Sequence, residues 1–542
     1  MVDAGVTPGE KQRLMIPTWI DALILSHGHV DHVGELPQFF VQNPESNIYV
    51  PKGNKAIIAH NVTESHRLSM QENPEAKMGR WLNEAQELLD EVHVNMPKKG
   101  GVKRGKGGNR TERSLHKHEL ADQYHEKESR LESAIYQLRM HLDMDEEEID
   151  NLPDNQLITF FRNRITIAYW EKLNELKNRG IITRWDVTRS INAITELTIW
   201  SHHKIMKIGL RDVRVRFDPT GHLVVWPACS IGIELPISGW KRNVLFSGDQ
   251  WNPKLGYEWT NPEFKELYNK YNTIVMESTY GNKVHPDRAN ELRKLDAKIS
   301  EAVRSKTDIL VVTLALERPV YVLYEILKCL ENNGISTNEV DISYFGESIA
   351  SLFKHFPKGE IRDTVKPFIH PLVNPSLPPK QKTNILSKLG KKWQKSRIII
   401  ASCGFFHPEG PSAKALERLY PLDKLLIISP NFHGEPGTNG YNLFHGEDYQ
   451  IGSDMYEPNP GHDLFIAQWF SWHADSEQLV RYARKNAIDG KNSWNWAKIF
   501  LNHGSEEARN SLSHKLAADP VIRSKRAQVV LPKIGRTYKA NQ

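Results

Sequence analysis

The chain has 542 residues, of which 39% are hydrophobic and 25% charged, and this composition predicts a globular protein of about two to four domains. No run of about 18 apolar residues is present, which argues against a membrane span. The N-terminus lacks the basic and apolar regions of a secretory signal, and three widely separated cysteines argue against a disulfide framework, so we expect a cytoplasmic protein. The net charge of +5 is compatible with a nucleic-acid partner without requiring one.

The N-terminal part predicts a strand, a polar loop, a helix and a second strand. Residues 22–25 form a short apolar run that precedes a histidine-rich turn, and residues 34–40 are typical of the start of a helix. Residues 47–50 predict the next strand, which ends at Pro51.

Residues 88–180 differ in composition from the rest of the chain. Residues 98–110 are rich in glycine, lysine and arginine without apolar periodicity, which predicts a basic loop. Residues 116–142 carry leucines at helical spacing and are followed by the acidic stretch 143–150. We therefore expect a largely helical insertion. The basic loop could attract a nucleic-acid backbone, but a solvated loop is the interpretation we favour.

Strand-like segments resume after this insertion and are predicted at 213–217, 230–235, 244–246 and 273–276. After Gly281 helices and apolar strands alternate, a pattern typical of an α/β layer with a mainly parallel sheet. Strands are predicted there at 309–313, 340–345, 397–401 and 425–429, with a helix at 319–330, and strand-loop segments follow at 464–470 and 497–502.

A cluster of metal-competent side chains follows the first predicted strand. His27, His29, Asp31 and His32 lie within six residues, and imidazole and carboxylate are ligands that zinc prefers. In a tight turn His27 and His29 can converge on one ion, and Asp31 and His32 on a second. The alternative, a polar loop with unrelated histidines, does not account for four such groups in so short a segment.

The segment 25–34 (LSHGHVDHVG) resembles the H-x-H-x-D-H signature of the metallo-β-lactamase superfamily. Further segments resemble motifs of this superfamily in the expected order: 1–5 (MVDAG), 218–222 (DPTGH) and 246–249 (FSGD). The resemblance implies Asp3 as a structural motif residue, His222 as the third ligand of the first ion, and Asp249 as the ligand that bridges both ions.

Two of these assignments have alternatives in the sequence. Asp3 could only cap a turn, and His222 could be an exposed loop histidine. His202 and His203 compete with His222 for the ligand position, although they follow a predicted helical stretch rather than a strand.

Downstream segments are similar to the β-CASP branch, whose members process nucleic acids. The segment 276–281 (MESTYG) resembles motif A and implies Glu277 as its acidic residue. The segment 470–475 (FSWHAD) resembles motif B, with His473 as the motif histidine and Trp472 as a departure. The segment 500–506 (FLNHGSE) resembles motif C and implies His503 as a ligand.

Weaker resemblances lie between motifs A and B. The segment 313–318 (TLALER) is similar to the FAxGR motif and makes Arg318 a candidate substrate-binding residue, although helix capping or a salt bridge is an equal alternative. The segment 400–404 (IASCG) resembles IASSGM. The segment 434–440 resembles a glycine-rich loop, with Asn439 and Tyr441 as departures.

The resemblance implies a two-metal hydrolytic mechanism. Two zinc ions about 3.5–4 Å apart would share a hydroxide nucleophile and the Asp249 carboxylate, with Asp31 as both ligand and catalytic residue. His473 would protonate the leaving oxygen, oriented and kept charged by Glu277. The alternative for His473 is a histidine that only steadies a ligand. Manganese is an alternative to zinc, because carboxylate and imidazole ligands serve both.

The substrate class also follows from the resemblance. RNA-processing members of the branch tend to carry histidine in motif C, so His503 indicates a ribonuclease that acts on single-stranded RNA, as an endonuclease or a 5′-exonuclease. Rival hypotheses are a hydrolase of DNA or of a small ester or thioester, and a non-catalytic RNA-binding subunit. Retention of two metal equivalents would argue against the non-catalytic reading. A membrane partner is not expected, and a homodimer is left open.

The implied fold is α/β: a metallo-β-lactamase αββα sandwich with an inserted β-CASP domain. We expect residues 1–281 and 461–542 to form the sandwich, with the extra helical insertion at about 88–180, and residues 282–460 to form the α/β β-CASP domain. The chain opens at the aspartate motif, where the superfamily usually has preceding strands. We therefore expect either an upstream start or an incomplete first sheet.

Overall fold

A computed structural model describes most of the chain. Within the described residues, no helix is long and apolar enough to cross a membrane. The described chain divides into two compact units, one formed by Met1–Glu35, Glu45–Ala59 and Ala193–Gln542, and the other by Leu36–Pro44 and His60–Asn192. The residues outside the description are 6–15, 70–73, 96–128, 145–148, 150–151, 179–181, 198–203, 209–210, 223–227, 238–239, 253–270, 315–316, 347–348, 350–352, 355, 357, 373–380, 382–384, 386–387, 390, 392, 403–405, 431–433, 435, 468–469, 489–495, 534–535 and 539–542.

The elements follow the predicted order closely. The strands are β1 (Ala22–Ile24), β2 (Asn47–Pro51), β3 (Ile194–Leu197), β4 (Lys204–Ile208), β5 (Arg211–Pro219), β6 (Cys229–Ile237), β7 (Trp240–Phe246), β8 (Thr273–Glu277), β9 (Asp308–Thr313), β10 (Val340–Phe345), β11 (Ser396–Ser402), β12 (Leu425–Ser429), β13 (Tyr449–Ile451), β14 (Asp454–Tyr456), β15 (His462–Ile466), β16 (Lys498–Asn502) and β17 (Gln528–Val530). The α-helices are Val30–Val33, Leu36–Gln42, Lys55–Ser69, Pro74–Asn95, 129–142, Asp154–Asn178, Arg184–Asn192, Arg288–Arg304, Arg318–Asn332, Glu360–Val365, Pro411–Leu419, Asn439–His445, Ser476–Asn486, Glu506–Ala518 and Pro520–Ser524.

The largest sheet has seven strands in the order β17-β16-β8-β7-β6-β5-β4. Strands β4 to β7 pair antiparallel, whereas β7, β8, β16 and β17 pair parallel. Parallel neighbours end at the same edge of a sheet. The loops that follow β7, β8 and β16 therefore start side by side.

A three-stranded parallel sheet, β1-β2-β3, contributes to the same core as this large sheet. Ile24 of β1 and Leu197 of β3 share one buried apolar cluster with Val215 of β5 and Ile231 of β6. These mixed sheets and their helices are consistent with the metallo-β-lactamase fold. The helix predicted to start at 34–40 is found at Leu36–Gln42, and a separate helical turn, Val30–Val33, precedes it.

A five-stranded, all-parallel sheet, β10-β11-β9-β12-β15, forms the α/β layer predicted after Gly281. Every residue of β9 is buried, with Ile309 and Val311 in one apolar cluster and Leu310 and Val312 in another. Alternate side chains of a strand point to opposite faces, so both faces of this sheet are covered. This burial on both faces explains the continuous apolar runs in the sequence.

Among its described residues, the second compact unit is helical wherever it has regular structure. Helices Pro74–Asn95, 129–142 and Asp154–Asn178 bury a common apolar core that includes Leu89, Leu138 and Phe161. The predicted basic loop, 98–110, lies outside the described residues. The helical character of the described part agrees with the sequence, while the boundaries at about 88–180 stay a prediction.

Candidate metal centre

The loop after β1 carries four of the predicted site residues into the interior. Strand β1 is fully buried, and the chain then turns at Ser26 into the one-turn helix Val30–Val33. His27 is buried, and its Nε2 atom lies 2.9 Å from Nδ1 of His29. The helical turn points Asp31 and His32 to the same region, where Nε2 of His32 lies 3.8 Å from Oδ2 of Asp31.

Three groups of candidate metal ligands share Asp249, and one of them consists of Asp249, Glu277, His473 and His503. We call His27, His29, His222 and Asp249 the first cluster, and Asp31, His32, Asp249 and His503 the second cluster. In each cluster the candidate ligand atoms lie within 4.8 Å of one another. The structure therefore brings together all seven residues for which the sequence predicts metal binding.

Asp249 belongs to both clusters and turns one carboxylate oxygen toward each. Its Oδ2 lies 3.4 Å from Nε2 of both His27 and His222. Its Oδ1 lies 3.3 Å from Nε2 of His32 and 3.8 Å from Nε2 of His503. This is the arrangement expected of a carboxylate that bridges two cations.

The backbone of the two loops that carry His222 and Asp249 requires glycine. Gly248 has a φ of +54°, and an added Cβ would lie 2.5 Å from the carbonyl oxygen of Cys229. Gly221 has a φ of +78° and packs on the ring of Trp251. Glycine adopts such conformations at no steric cost. The glycines of the two motifs thus place the side chains that follow them.

Several buried polar atoms have no hydrogen-bond partner within the described residues. They are both carboxylate oxygens of Asp249, Nε2 of His32 and both ring nitrogens of His222. An unsatisfied buried polar atom costs about 1–3 kcal/mol. Divalent cations held between these oxygen and nitrogen atoms would remove that cost, so the donor set fits two such ions.

The pKa values of the histidines differ between the two clusters. Burial, and for His29 the neighbouring His27, lowers the pKa of His27, His29 and His222 below the usual value. Burial also lowers the pKa of His32 and His503, but the negative charges of Asp249 and Asp31 outweigh it. The pKa of His32 is raised well above its usual value, and that of His503 is raised to about 9.

The pKa values of both carboxylates in the clusters are lowered. Burial raises the pKa of Asp249, but the surrounding histidines, His503 and His32 first, outweigh it and hold the pKa well below the usual value. The pKa of Asp31 is lowered in the same way by His32 and His503. Both carboxylates are therefore ionised at neutral pH and available to a cation.

Asp3 contacts a histidine of the second cluster from outside. Its Oδ2 accepts hydrogen bonds from Nδ1 of His32 at 2.8 Å and from the hydroxyl of Ser26 at 2.8 Å. Its Oδ1 accepts the backbone N–H of Ser26 at 2.6 Å. Asp3 thus orients the histidine-rich loop, which is more than the turn cap that the sequence left open.

His473 lies at the edge of both clusters and is held by Glu277. Its Nδ1 lies 3.0 Å from Oε2 of Glu277, and its Nε2 lies 3.9 Å from Oδ2 of Asp249. Glu277 is buried, and its backbone N–H donates to the hydroxyl of Ser247. This carboxylate orients the imidazole so that Nε2 faces Asp249.

Other residues of the motif B segment have structural roles. Trp472, a departure from the family motif, is buried and packs edge-to-face on Tyr321 with ring centroids 4.9 Å apart. Asp475 is the N-cap of helix Ser476–Asn486 and accepts the backbone N–H of Gln478 at 3.0 Å. Neither side chain belongs to the two clusters.

Arg318 is buried at the start of helix Arg318–Asn332, near Tyr280. Burial lowers its pKa to about 10, and its Nε atom has no hydrogen-bond partner among the described residues. Within the same residues no carboxylate forms an ion pair with Arg318, so the salt bridge that the sequence left open is not found there.

Asn439, a departure from the family's glycine-rich loop, stabilises its own loop. Its side-chain amide donates to the carbonyl oxygens of Phe406 and Gln450.

The sequence reasoning did not identify three residues that contact the site residues. Ser26 and Thr279 place hydroxyls beside His27 and His503, and Nε2 of His285 lies 2.8 Å from the carbonyl oxygen of His473. Ser26 and Thr279 adjoin motif residues, which is the signal that could have found them. His202 and His203 lie outside the described residues, and the element that precedes them is strand β3, not a helix as predicted.

Comparison with known proteins gives one family match and several distant relatives. Residues 1–93 match the family model described as the metallo-beta-lactamase superfamily. The chain is 24% identical over 316 residues to "Transcription termination factor FttA" of Pyrococcus horikoshii, which covers 55% of this chain and 46% of the relative. It is 25% identical over 291 residues to "Transcription termination factor FttA" of Thermococcus kodakarensis, covering 51% and 42%.

A further relative is "RNase aCSPSF2" of Saccharolobus solfataricus, 24% identical over 339 residues, which covers 61% of this chain and 59% of the relative. The chain thus spans about half the length of the curated relatives it matches. The family match includes the whole histidine-rich loop after β1 and excludes His222, Asp249 and His503.

Proposed function

We propose that this chain, which belongs to the metallo-β-lactamase superfamily and is distantly homologous to the archaeal relatives above, is a two-metal ribonuclease that hydrolyses phosphodiester bonds in single-stranded RNA. The main support is the position of Asp249. Its two carboxylate oxygens face separate histidine clusters, and both oxygens are buried without hydrogen-bond partners among the described residues. A structural carboxylate would have found such partners.

The two clusters would each hold one divalent cation, zinc or manganese. His27, His29 and His222 would hold the first ion and Asp31, His32 and His503 the second, with Asp249 shared. Such a pair of ions supplies Lewis acidity that activates water at neutral pH and neutralises negative charge on a phosphate. The protein contributes the fixed positions of the ligands and a buried, low-dielectric surrounding.

His473 would act as the general acid that protonates the leaving ribose oxygen. Its Nε2 faces the centre while its Nδ1 is held by Glu277 at 3.0 Å, so the ring presents one nitrogen to the substrate. Asp31 lies between His32 and His503 and is the second carboxylate that faces the centre. Arg318 would bind a phosphate of the RNA, because its buried guanidinium has no carboxylate partner among the described residues.

RNA and the β-CASP branch are supported by motif order and by one relative. Glu277, His473 and His503 occur in the order of motifs A, B and C, and the five-stranded sheet lies between the first two. We therefore propose the β-CASP domain, expected at 282–460, and extend it to Ile466 because β15 pairs with β12 in the same sheet. The αββα sandwich, expected at 1–281 and 461–542, would then resume after Ile466, with the helical insertion at about 88–180. The relative "RNase aCSPSF2" carries RNA hydrolysis in its name.

The test is digestion of a single-stranded RNA labelled at either end, with Zn²⁺ or Mn²⁺ and with an excess of chelator. We expect metal-dependent cleavage that Asp249→Asn abolishes, and the lengths of the labelled products separate endonuclease from 5′-exonuclease action. The matched control is Asp475→Asn, which changes a nearby carboxylate that caps a helix and lies outside both clusters. A folded protein that retains two zinc equivalents but cleaves a DNA strand and no RNA would overturn the substrate assignment.

A further inference from the structure

Thr279 contacts His503 in two ways. Its Oγ1 lies 2.9 Å from Nδ1 of the His503 ring and 3.2 Å from the carbonyl oxygen of His503. His503 itself has a φ of +51°, in the left-handed region that residues other than glycine rarely adopt. A hydroxyl bonded to both the ring and the backbone carbonyl of one residue holds that residue in a single conformation.

Strand pairing explains this contact between residues that are far apart in the chain. Strands β8 and β16 are parallel neighbours, and Glu277 pairs with Asn502 in their register. The two segments that follow β8 and β16 therefore leave the sheet side by side, and the N–H of Ser278 donates to the carbonyl oxygen of His503 at 3.0 Å. Thr279 then reaches the ring of His503 directly.

The number of hydrogens on the hydroxyl decides which ring nitrogen carries a proton. A threonine hydroxyl has one hydrogen, and a carbonyl oxygen can only accept. When Thr279 donates to the carbonyl oxygen of His503, its own oxygen must accept a hydrogen bond from Nδ1–H of the ring. The other nitrogen, Nε2, is then the one left to bind a cation, and it faces Asp31 at 2.9 Å and Asp249 at 3.8 Å.

Ser26 plays the same role for His27 of the first cluster as Thr279 does for His503. The hydroxyl of Ser26 donates to Asp3 at 2.8 Å and lies 3.0 Å from Nδ1 of His27. That leaves Nε2 of His27 facing Asp249 at 3.4 Å. Ser26 also lies 3.2 Å from Nδ1 of His32, so it serves both clusters, whereas Thr279 contacts only His503 among the histidines of the clusters.

We propose that Thr279 is a positioning residue for the cation of the second cluster: its hydroxyl holds His503 with Nε2 directed at that cation. This inference rests on the metal centre of the proposed function but not on the identity of the substrate. Removal of the hydroxyl would leave Nδ1 without its partner and free the ring to rotate or to change tautomer. Loss of such an outer partner typically lowers metal affinity by about 10–100-fold.

The experiment is a zinc titration of the metal-free 542-residue chain in competition with a chromophoric chelator, with Co²⁺ absorption spectra as a second readout. Thr279→Val keeps the shape of the side chain and removes the hydroxyl, and Thr279→Ser restores the hydroxyl. We expect Thr279→Val to weaken one of two equivalents by about 10–100-fold, to leave the other unchanged, and to alter the Co²⁺ spectrum. Thr279→Ser should behave like the wild type.

The matched control is Ser278→Ala, because the hydroxyl of Ser278 donates to the carbonyl oxygen of Asn502 at 2.7 Å instead of to a histidine ring. It should bind both equivalents as the wild type does. Thr279→Ala is a second hydroxyl-free variant, should Thr279→Val unfold, and the same loss is expected. The inference is overturned if hydroxyl-free variants bind both equivalents normally, or if Thr279→Ser loses as much affinity as Thr279→Val. A wild type that binds no zinc would instead overturn the metal centre itself.

Discussion

The first and second clusters share Asp249 but differ in burial and in the charge of their histidines. In the first cluster His27 and His222 are fully buried, and their pKa values are lowered by burial. In the second cluster His503 is partly exposed, and its pKa is raised to about 9 by Asp249 and Asp31. The first cluster has one carboxylate for three histidines, whereas the second has two carboxylates for two histidines.

This difference predicts that the two clusters release different numbers of protons when a cation binds. The neutral imidazoles of the first cluster need release no proton, so this cluster is prepared for a cation near neutral pH. The histidines of the second cluster hold protons that a cation must displace. We therefore expect the two ions to bind with different pH dependence, and each prediction below tests one part of that contrast.

The largest effect is expected for Asp249→Asn, which removes the only charge that both clusters share. Because each cluster loses a ligand, RNA cleavage should fall by about 10⁴-fold or more, and the zinc content should drop below two equivalents. Metal analysis together with cleavage rates at saturating zinc would measure this. If the variant kept both ions and cleaved RNA normally, the shared role of Asp249 would be wrong.

The next effect concerns His473, which faces the centre without belonging to either of the two clusters. His473→Gln should lower cleavage of RNA by about 10²–10⁴-fold, because it removes the proposed general acid, while two zinc equivalents remain bound. An aryl phosphodiester has a leaving group that needs no protonation, so its hydrolysis should change far less. An equal loss on both substrates would assign His473 to metal binding and not to proton transfer.

The pH dependence tests the contrast directly. His32 and His503 have raised pKa values, so their protons are held up to the folded pKa, about 9 for His503, and compete with the second ion below it. Affinity for that ion should rise by about tenfold per pH unit for each proton displaced, while the first ion changes little near neutrality. Zinc titrations between pH 6.5 and 9 would measure it, and identical slopes for both ions would contradict the comparison.

The smallest effect is expected for Asp475→Ala, because Asp475 lies outside both clusters. Asp475 caps helix Ser476–Asn486 and accepts the backbone N–H of His285 at 3.2 Å. Loss of the cap should lower the free energy of unfolding by about 1 kcal/mol, measured by denaturant titration, with zinc content unchanged. A loss of either ion would show that the centre extends further than the two clusters.

Local sequence patterns were sufficient for most of the elements and for the histidine-rich loop, although strand β3 was predicted as a helical stretch. The alternation of helices and apolar strands after Gly281 predicted the parallel sheet, because burial on both faces requires continuous apolar runs. His27, His29, Asp31 and His32 could be predicted as a group because they are close in the chain. The prediction was less accurate where the loop ends, since the helix expected from residue 34 begins at Leu36 and a separate helical turn, Val30–Val33, precedes it.

Motif resemblance pointed to His222, Asp249 and His503, but only the tertiary structure decided that they meet. Parallel pairing of β7, β8 and β16 brings the ends of three distant segments to one edge, and no local pattern encodes that pairing. The same holds for the contrast between the clusters, because a histidine's pKa depends on its burial and on charges that arrive from elsewhere in the chain. The sequence by itself determined which side chains are candidate metal ligands, and strand pairing decided which of them converge on Asp249.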